Sequence, residues 1–193
     1  MIKTIIFDFD GTLADCKELH QDAFRRAVKQ VCPQAEYDDE AVEGRPTREK
    51  IRILNSMGYS FNGDKLNEIK QMITQERLPE FIKFEPALYE QVERLSHRYK
   101  LCVASNATEA FINRSLEIMR IRDLFLRINT ATDFPAKPDT TTFYDCMRYT
   151  GSGPATTAIF EDSPVGIQCA TATGARVVEV TDVWDTIEKT KDF

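Results

Sequence analysis

The sequence predicts an α/β fold in which helices cover both faces of a parallel sheet, with an all-helical segment inserted after the first strand. Three observations lead there. Short, β-branched apolar runs alternate with amphipathic stretches along most of the chain, the pattern of strand–helix–strand units. Runs such as Ile5-Ile6-Phe7 and Ala158-Ile159-Phe160 are apolar at successive positions, as strands buried on both faces require. The first two runs lie roughly ninety residues apart, far more than one crossover helix needs.

In chain order, strands are expected at Thr4–Asp10, Lys100–Asn106, Leu124–Asn129, Thr157–Asp162 and Ala175–Val180. Helices are expected over Pro86–His97, Thr108–Arg120, Thr140–Tyr149 and Pro164–Thr173. Within the long interval, Leu19, Ala23, Phe24, Ala27, Val28 and Val31 recur at the spacing of one helix face. Ile51 and Leu54, then Leu66, Ile69 and Ile73, mark two more helices, with Gly58 and Asn62-Gly63 between them as breakers. A further short helix is expected to run to Ile82, and Pro86 opens the next core helix. Residues 1–14 and 84–193 are thus expected to form the α/β domain, and residues 15–83 the helical one.

A chain of 193 residues holds one generous domain or a core with a small insert. The apolar share of 42% and charged share of 29% are ordinary for a soluble globular protein. A net charge of −6 without a long basic run argues against nucleic acid or an anionic membrane as the main partner. Cys16, Cys32, Cys102, Cys146 and Cys169 are odd in number and lack any CxxC pairing. They read as reduced thiols that serve mainly in packing. Asp8 and Asp10 break the N-terminal apolar run and spoil it as a signal peptide. No apolar stretch approaches the roughly 20 residues that span a bilayer. The expected location is cytoplasmic.

The chemistry is expected where the strands end, because ligands of open parallel sheets bind beyond the carboxyl ends of the strands. Strand one leads into Asp8 and Asp10, strand two into Ser105 and Asn106, and strand four into Glu161-Asp162-Ser163. Lys137 follows strand three, ahead of Pro138-Asp139. Asp8 and Asp10, two apart, would share one face of a strand and repel each other unless a cation or shared proton intervenes. A hard cation such as Mg²⁺ takes carboxylate, phosphate and water oxygens. Asp8 and Asp162 are the candidate ligands, with the carbonyl oxygen of Asp10 as a third. Ser105, Asn106 and Lys137 are the candidate phosphate binders, since phosphoryl transfer needs in-line positioning and charge neutralisation. Singly, each residue has a plainer reading: Ser105-Asn106 and Ser163-Pro164 as helix starts, and Lys137 as a solvated loop lysine. Their order after successive strands is what joins them.

Asp8-Phe9-Asp10-Gly11-Thr12, Ser105-Asn106, Lys137-Pro138 and Glu161-Asp162-Ser163-Pro164-Val165-Gly166 resemble the four motifs of the haloacid dehalogenase superfamily. The helical insert is similar to the cap of its β-phosphoglucomutase-like branch. The resemblance spans nearly the whole chain and implies a Rossmann-like three-layer sandwich with a mobile helical cap domain. It also implies Asp8 as a nucleophile that forms an aspartyl-phosphate, and Asp10 as the acid and then the base. Asp10 favours phosphate chemistry, because dehalogenase relatives need no acid there. The same likeness implies Ser105 and Lys137 on the phosphate, and Asp162 on the metal. Glu161 would hold a metal-bound water or ligate directly, and Thr12 would orient Asp10. Gly44-Arg45-Pro46-Thr47-Arg48-Glu49 resembles a cap loop, making Arg48 a candidate for a distal substrate phosphate or hydroxyl; a solvated helical turn is the other reading. His20 matches a cap-hinge position, or is a packed histidine. Lys50 and Arg52 read as surface charges.

Two features depart from the family pattern. Lys137-Pro138 meets Asp139 directly, where relatives commonly carry another Pro. The chain also stops soon after Val180-Thr181-Asp182-Val183, which is expected to leave the sheet edge bare or shielded by a partner. The leading functional reading is a Mg²⁺-dependent phosphatase of a small phosphorylated metabolite, such as a sugar or polyol phosphate. A phosphomutase with the same core residues is the alternative, and a catalytically silent binding module the third.

Overall fold

A computed structural model describes residues 1–42 and 47–193, so Gly44, Arg45 and Pro46 of the loop named above lie outside the described residues. The chain divides into two compact units, Met1–Asp15 with Ile82–Phe193, and Cys16–Phe81.

The first unit is built on a five-stranded parallel sheet of order β3-β2-β1-β4-β5. Its strands are β1 (Thr4–Phe7), β2 (Lys100–Ala104), β3 (Arg127–Asn129), β4 (Thr157–Glu161) and β5 (Arg176–Glu179). The helices of this unit are α5 (Pro86–Ser96), α6 (Glu109–Ile118), α7 (Thr141–Thr150), α8 (Pro164–Ala172) and α9 (Val183–Thr190). On one face Ile6, Cys102 and Ile159 pack with Phe143 and Cys146 of α7 and with Cys169 and Ala170 of α8. Phe7, Phe125, Phe160 and Phe193 form a run of ring contacts, and α5 packs on β2 and α9. Burying each such ring contributes about 1.5–3 kcal/mol. The three-layer α/β sandwich expected from the strand pattern is the fold observed.

All five strands are shorter than expected, β1 and β3 the most. β1 stops at Phe7, because the Phe9 carbonyl accepts the N–H groups of Thr12, Leu13 and Ala14 at 3.3, 2.8 and 3.0 Å and the chain turns away. Asp8 and Asp10 therefore flank a buried Phe9 in a turn and do not share a strand face. The Leu124–Asn129 run yields β3 only from Arg127; a single 3-10 turn at Arg122–Leu124 precedes it. At the other end β5 is the edge strand. The chain's own α9 follows it, Lys189 Nζ donates to the Glu179 carbonyl at 2.7 Å, and Arg176 lies over the Phe193 ring.

The second unit contains α1 (Lys17–Val31), α2 (Asp39–Val42), α3 (Thr47–Ser56) and α4 (Gly63–Phe81). Leu19, Ala23, Phe24, Ala27 and Val28 are buried, as the periodicity of α1 requires. Phe24, Ala27, Val28, Leu54 and Leu66 belong to one apolar cluster. Asn62 starts α4 by accepting the Lys65 N–H at 3.0 Å, the usual N-cap device. The segments expected as separate helices up to Ile82 form a single α4 reaching Phe81. Lys50 is not a surface charge: it is 8% exposed, with its ammonium 5.1 Å from the Phe24 ring centre. Its four-carbon stem makes such burial possible. Arg52 is exposed.

Candidate active site

Parallel register gathers the polar groups at one end of the sheet. Phe7 lies beside Val103 of β2 and Phe160 of β4, so the next residues, Asp8 and Glu161, emerge side by side, with Ser105 just past the end of β2. The Asp8 N–H still donates to the Phe160 carbonyl at 2.9 Å. Its carboxylate, only 8% exposed as a residue, accepts from Lys137 Nζ at 2.5 Å. The same ammonium donates to Glu161 Oε1 and lies 5.2 Å from the Phe143 ring centre. Lys137 and Pro138 are joined by a cis peptide bond.

Glu161 is fully buried and has a donor on each oxygen. Oε1 takes Lys137; Oε2 takes the N–H groups of Asp162 and Ser163 at 3.1 and 3.2 Å and the Ser163 hydroxyl at 3.1 Å. Ser163 also caps α8, accepting from the Gly166 N–H at 3.1 Å. A Cβ at Gly166 would collide with the Glu161 carboxylate, and one at Gly11, where φ is +87°, would collide with that of Asp162. Both glycines are needed because the carboxylates press against main chain. Thr12, expected to orient Asp10, is buried and donates to Asp162 Oδ1 at 3.4 Å.

Burial pushes the Asp8 carboxyl up to about 7; Lys137 opposes that shift, and Glu161 and Asp162 add to it. Asp162 is likewise raised, by burial first and then by Glu161, with Asp10 adding a smaller push. For Lys137, burial works against the charge, but Asp8 and Glu161 outweigh it and raise the ammonium above its ordinary value. The Asp8, Glu161 and Asp162 cluster, with Asp10 acting on Asp162, thus carries more formal negative charge than the one ammonium of Lys137 neutralises. Oxygen atoms of Asp8, Glu161 and Asp162 lie within 4.8 Å of one another. An all-carboxylate donor set with surplus negative charge fits a hard divalent cation. Lys137 engages both Asp8 and Glu161, and Glu161, with donors on both of its oxygens, fits a metal least of the three.

The remaining expected residues fall in three places. Ser105 is buried, its hydroxyl accepting the Ala107 N–H at 3.1 Å; α6 starts later, after Thr108, so Ser105-Asn106 is no helix cap. Asn106 turns its side chain to the main chain of Lys137. In the helical unit, Arg48 is exposed on the first turn of α3 and lines a cleft of about 270 Å³ with Thr47, Ile51, Gly63, Asp64 and Asn67. His20 is half-buried and its Nδ1 is 3.3 Å from Lys70 Nζ. Burial, then Lys70 and Lys50, push that imidazole down to about 3. Neutral His20 accepts from the ammonium through Nδ1, which places its own proton on Nε2. Sequence reasoning missed the roles of Ser163, Gly166 and Phe143. The Ser-Pro helix start was a usable signal for Ser163; nothing local marks Phe143.

Residues 5–180 match the haloacid dehalogenase-like hydrolase family, and the chain belongs to it. Over 182 residues it is 28% identical to the phosphorylated carbohydrates phosphatase of Thermotoga maritima, covering 90% of this chain and 82% of that one. Over 188 residues it is 28% identical to the fructose-1-phosphate phosphatase YqaB of Escherichia coli K12, covering 91% and 95%. Its fold is similar to that of the solved β-phosphoglucomutase of Clostridium difficile, with a TM-score of 0.75 and 23% identity over 98% of this chain and 88% of that one. Among the described residues no helix is long and apolar enough to cross a membrane.

Proposed function

We propose that this hydrolase is a cytoplasmic, Mg²⁺-dependent phosphatase that hydrolyses a small phosphorylated metabolite of the sugar or polyol phosphate class through an aspartyl-phosphate. The observation that carries the reading is the buried Asp8 carboxylate held at 2.5 Å by Lys137 beside the carboxylate of Asp162. The phosphatase relatives in Thermotoga and Escherichia support the substrate class.

Asp8 attacks phosphorus, the phosphorus–ester oxygen bond breaks, and Asp10 protonates the departing alkoxide. Asp10 then takes a proton from the water that cleaves the acyl phosphate, regenerating Asp8 and releasing phosphate. Lys137, the Ser105 hydroxyl and neighbouring main-chain N–H groups offset charge on the phosphoryl oxygens. Mg²⁺, held by Asp8, Asp162 and the Asp10 carbonyl, would supply further neutralisation of that charge. Glu161 keeps the ammonium of Lys137 in place, and Thr12 orients Asp162. Arg48 and His20 are assigned to substrate contact in the helical unit.

A phosphate-release screen over phosphorylated sugars and polyols with Mg²⁺ tests this reading. Release is expected from at least one member, lost in a chelator and poorly restored by Ca²⁺, whose geometry is looser. Release unchanged by chelation would remove the metal. Glucose 1-phosphates converted to an isomer without release would identify a mutase instead, and neither outcome with any substrate would leave a silent binding module.

A further inference from the structure

Lys137 is fixed at its ammonium by Asp8 and Glu161, and it is fixed at its main chain as well. Asn106 Oδ1 accepts the Lys137 amide N–H at 2.7 Å, and Asn106 Nδ2 donates to the Lys137 carbonyl at 3.4 Å. One side-chain amide therefore meets both polar groups of one residue 31 positions away. Asn106 is itself placed by the turn off β2, where the Ser105 N–H donates to the Asn129 carbonyl at 3.0 Å and the Ser105 hydroxyl accepts from Ala107. The segment it holds is a tight one, closed by the Asp139 N–H donating to the Ala136 carbonyl at 3.1 Å.

We propose that Asn106 is a positioning residue that acts through Lys137 and not a side-chain ligand of the phosphate. Its amide fixes the peptide from which the lysine side chain reaches Asp8. The two ends of Lys137 are then set by different strands: the main chain from β2 through Asn106, the ammonium from β1 and β4 through Asp8 and Glu161. A buried side chain with both ends anchored keeps its charge in one place before substrate arrives, which is the condition for electrostatic catalysis without reorganisation. The kinetic part rests on the phosphatase reading; the hydrogen bond does not.

The test uses the full chain with Mg²⁺ and the best substrate of the screen, together with inorganic phosphate as a product inhibitor. Asn106→Ala is expected to lower kcat about 10–100-fold, the scale of a catalytic group displaced by about an ångström. KM and the phosphate inhibition constant should stay within about threefold of the parent. Asn106→Asp keeps the acceptor for the Lys137 N–H and should regain most of the lost kcat. A loss falling on KM and phosphate inhibition would make Asn106 a phosphate ligand and overturn the proposal, as would Asp no better than Ala. Amide hydrogen exchange provides the second readout: the Lys137 N–H should be slow in the parent and Asn106→Asp, and fast in Asn106→Ala. Equal rates in all three would overturn the brace. If the parent releases no phosphate, the phosphatase reading fails alone, and the exchange rates still decide the brace.

Discussion

Both units bury charged or titratable side chains, with opposite consequences. In the α/β unit Asp8, Lys137 and Glu161 are each less than a tenth exposed, and Lys137 donates to both carboxylates. In the helical unit Lys50 and Lys70 are equally buried, and the titratable group beside them is His20. Burial disfavours charge in both places. Asp8 rises to about 7 and His20 falls to about 3, each toward its neutral form. Lys137 alone of these three is held charged, because two carboxylates face it. Burial is the largest influence on all three groups, and only at Lys137 do neighbours of opposite sign together outweigh it. The α/β unit assembles opposite charges around a reaction centre; the helical unit surrounds an imidazole with cations and leaves it a neutral acceptor.

The steepest consequence belongs to Asp8. Asp8→Asn should reduce turnover by about 10⁴-fold or more, since removing a nucleophile has effects of that order, while the fold survives because Asn is isosteric; an unchanged rate would refute the assignment. Asp10→Asn should follow, slowing both chemical steps by about 10²–10⁴-fold, the range of general acid–base catalysis, as single-turnover and steady-state rates would reveal. In the helical unit the corresponding probe acts on stability. Leu66→Ala, at a fully buried position of α4, should cost about 2–5 kcal/mol of that unit's stability in denaturant melts. A loss of kcat in the still-folded variant, instead of a lower melting midpoint, would show that α4 takes part in chemistry.

The smallest effect comes from His20. Its folded pKa of about 3 lies below the ordinary 6.5, so above pH 6.5 neither state is charged and the group adds no pH dependence. As pH falls from 6.5 toward 3, the unfolded chain takes a proton that the folded one refuses. Stability should then drop by up to about 1.4 kcal/mol per pH unit across that window. Melts of the parent and His20→Gln at pH 7 and pH 5 would measure it: the parent should lose more on acidification. Parallel losses in the two proteins would mean that His20 is not held neutral.

Much of this arrangement was legible along the chain. Short, β-branched and near-continuous apolar runs located the sheet, and helical periodicity located α1, because burying one helix face imposes its spacing on the residues. Asp8, Ser105, Lys137 and Asp162 stood out by following successive strands, since parallel topology collects strand ends at one edge. Packing and hydrogen-bond partners were not legible. The end of β1 at Phe7 depends on a turn whose three donors converge on Phe9. The burial of Lys50 depends on where the Phe24 ring lies. The saturation of Glu161 and the hold of Asn106 on Lys137 join residues 24 and 31 positions apart. Local order in the chain specifies residue type and period, and with them the kind of chemistry available. Which oxygen receives which proton is a matter of distances between segments that meet only on folding, and there the tertiary structure alone decides.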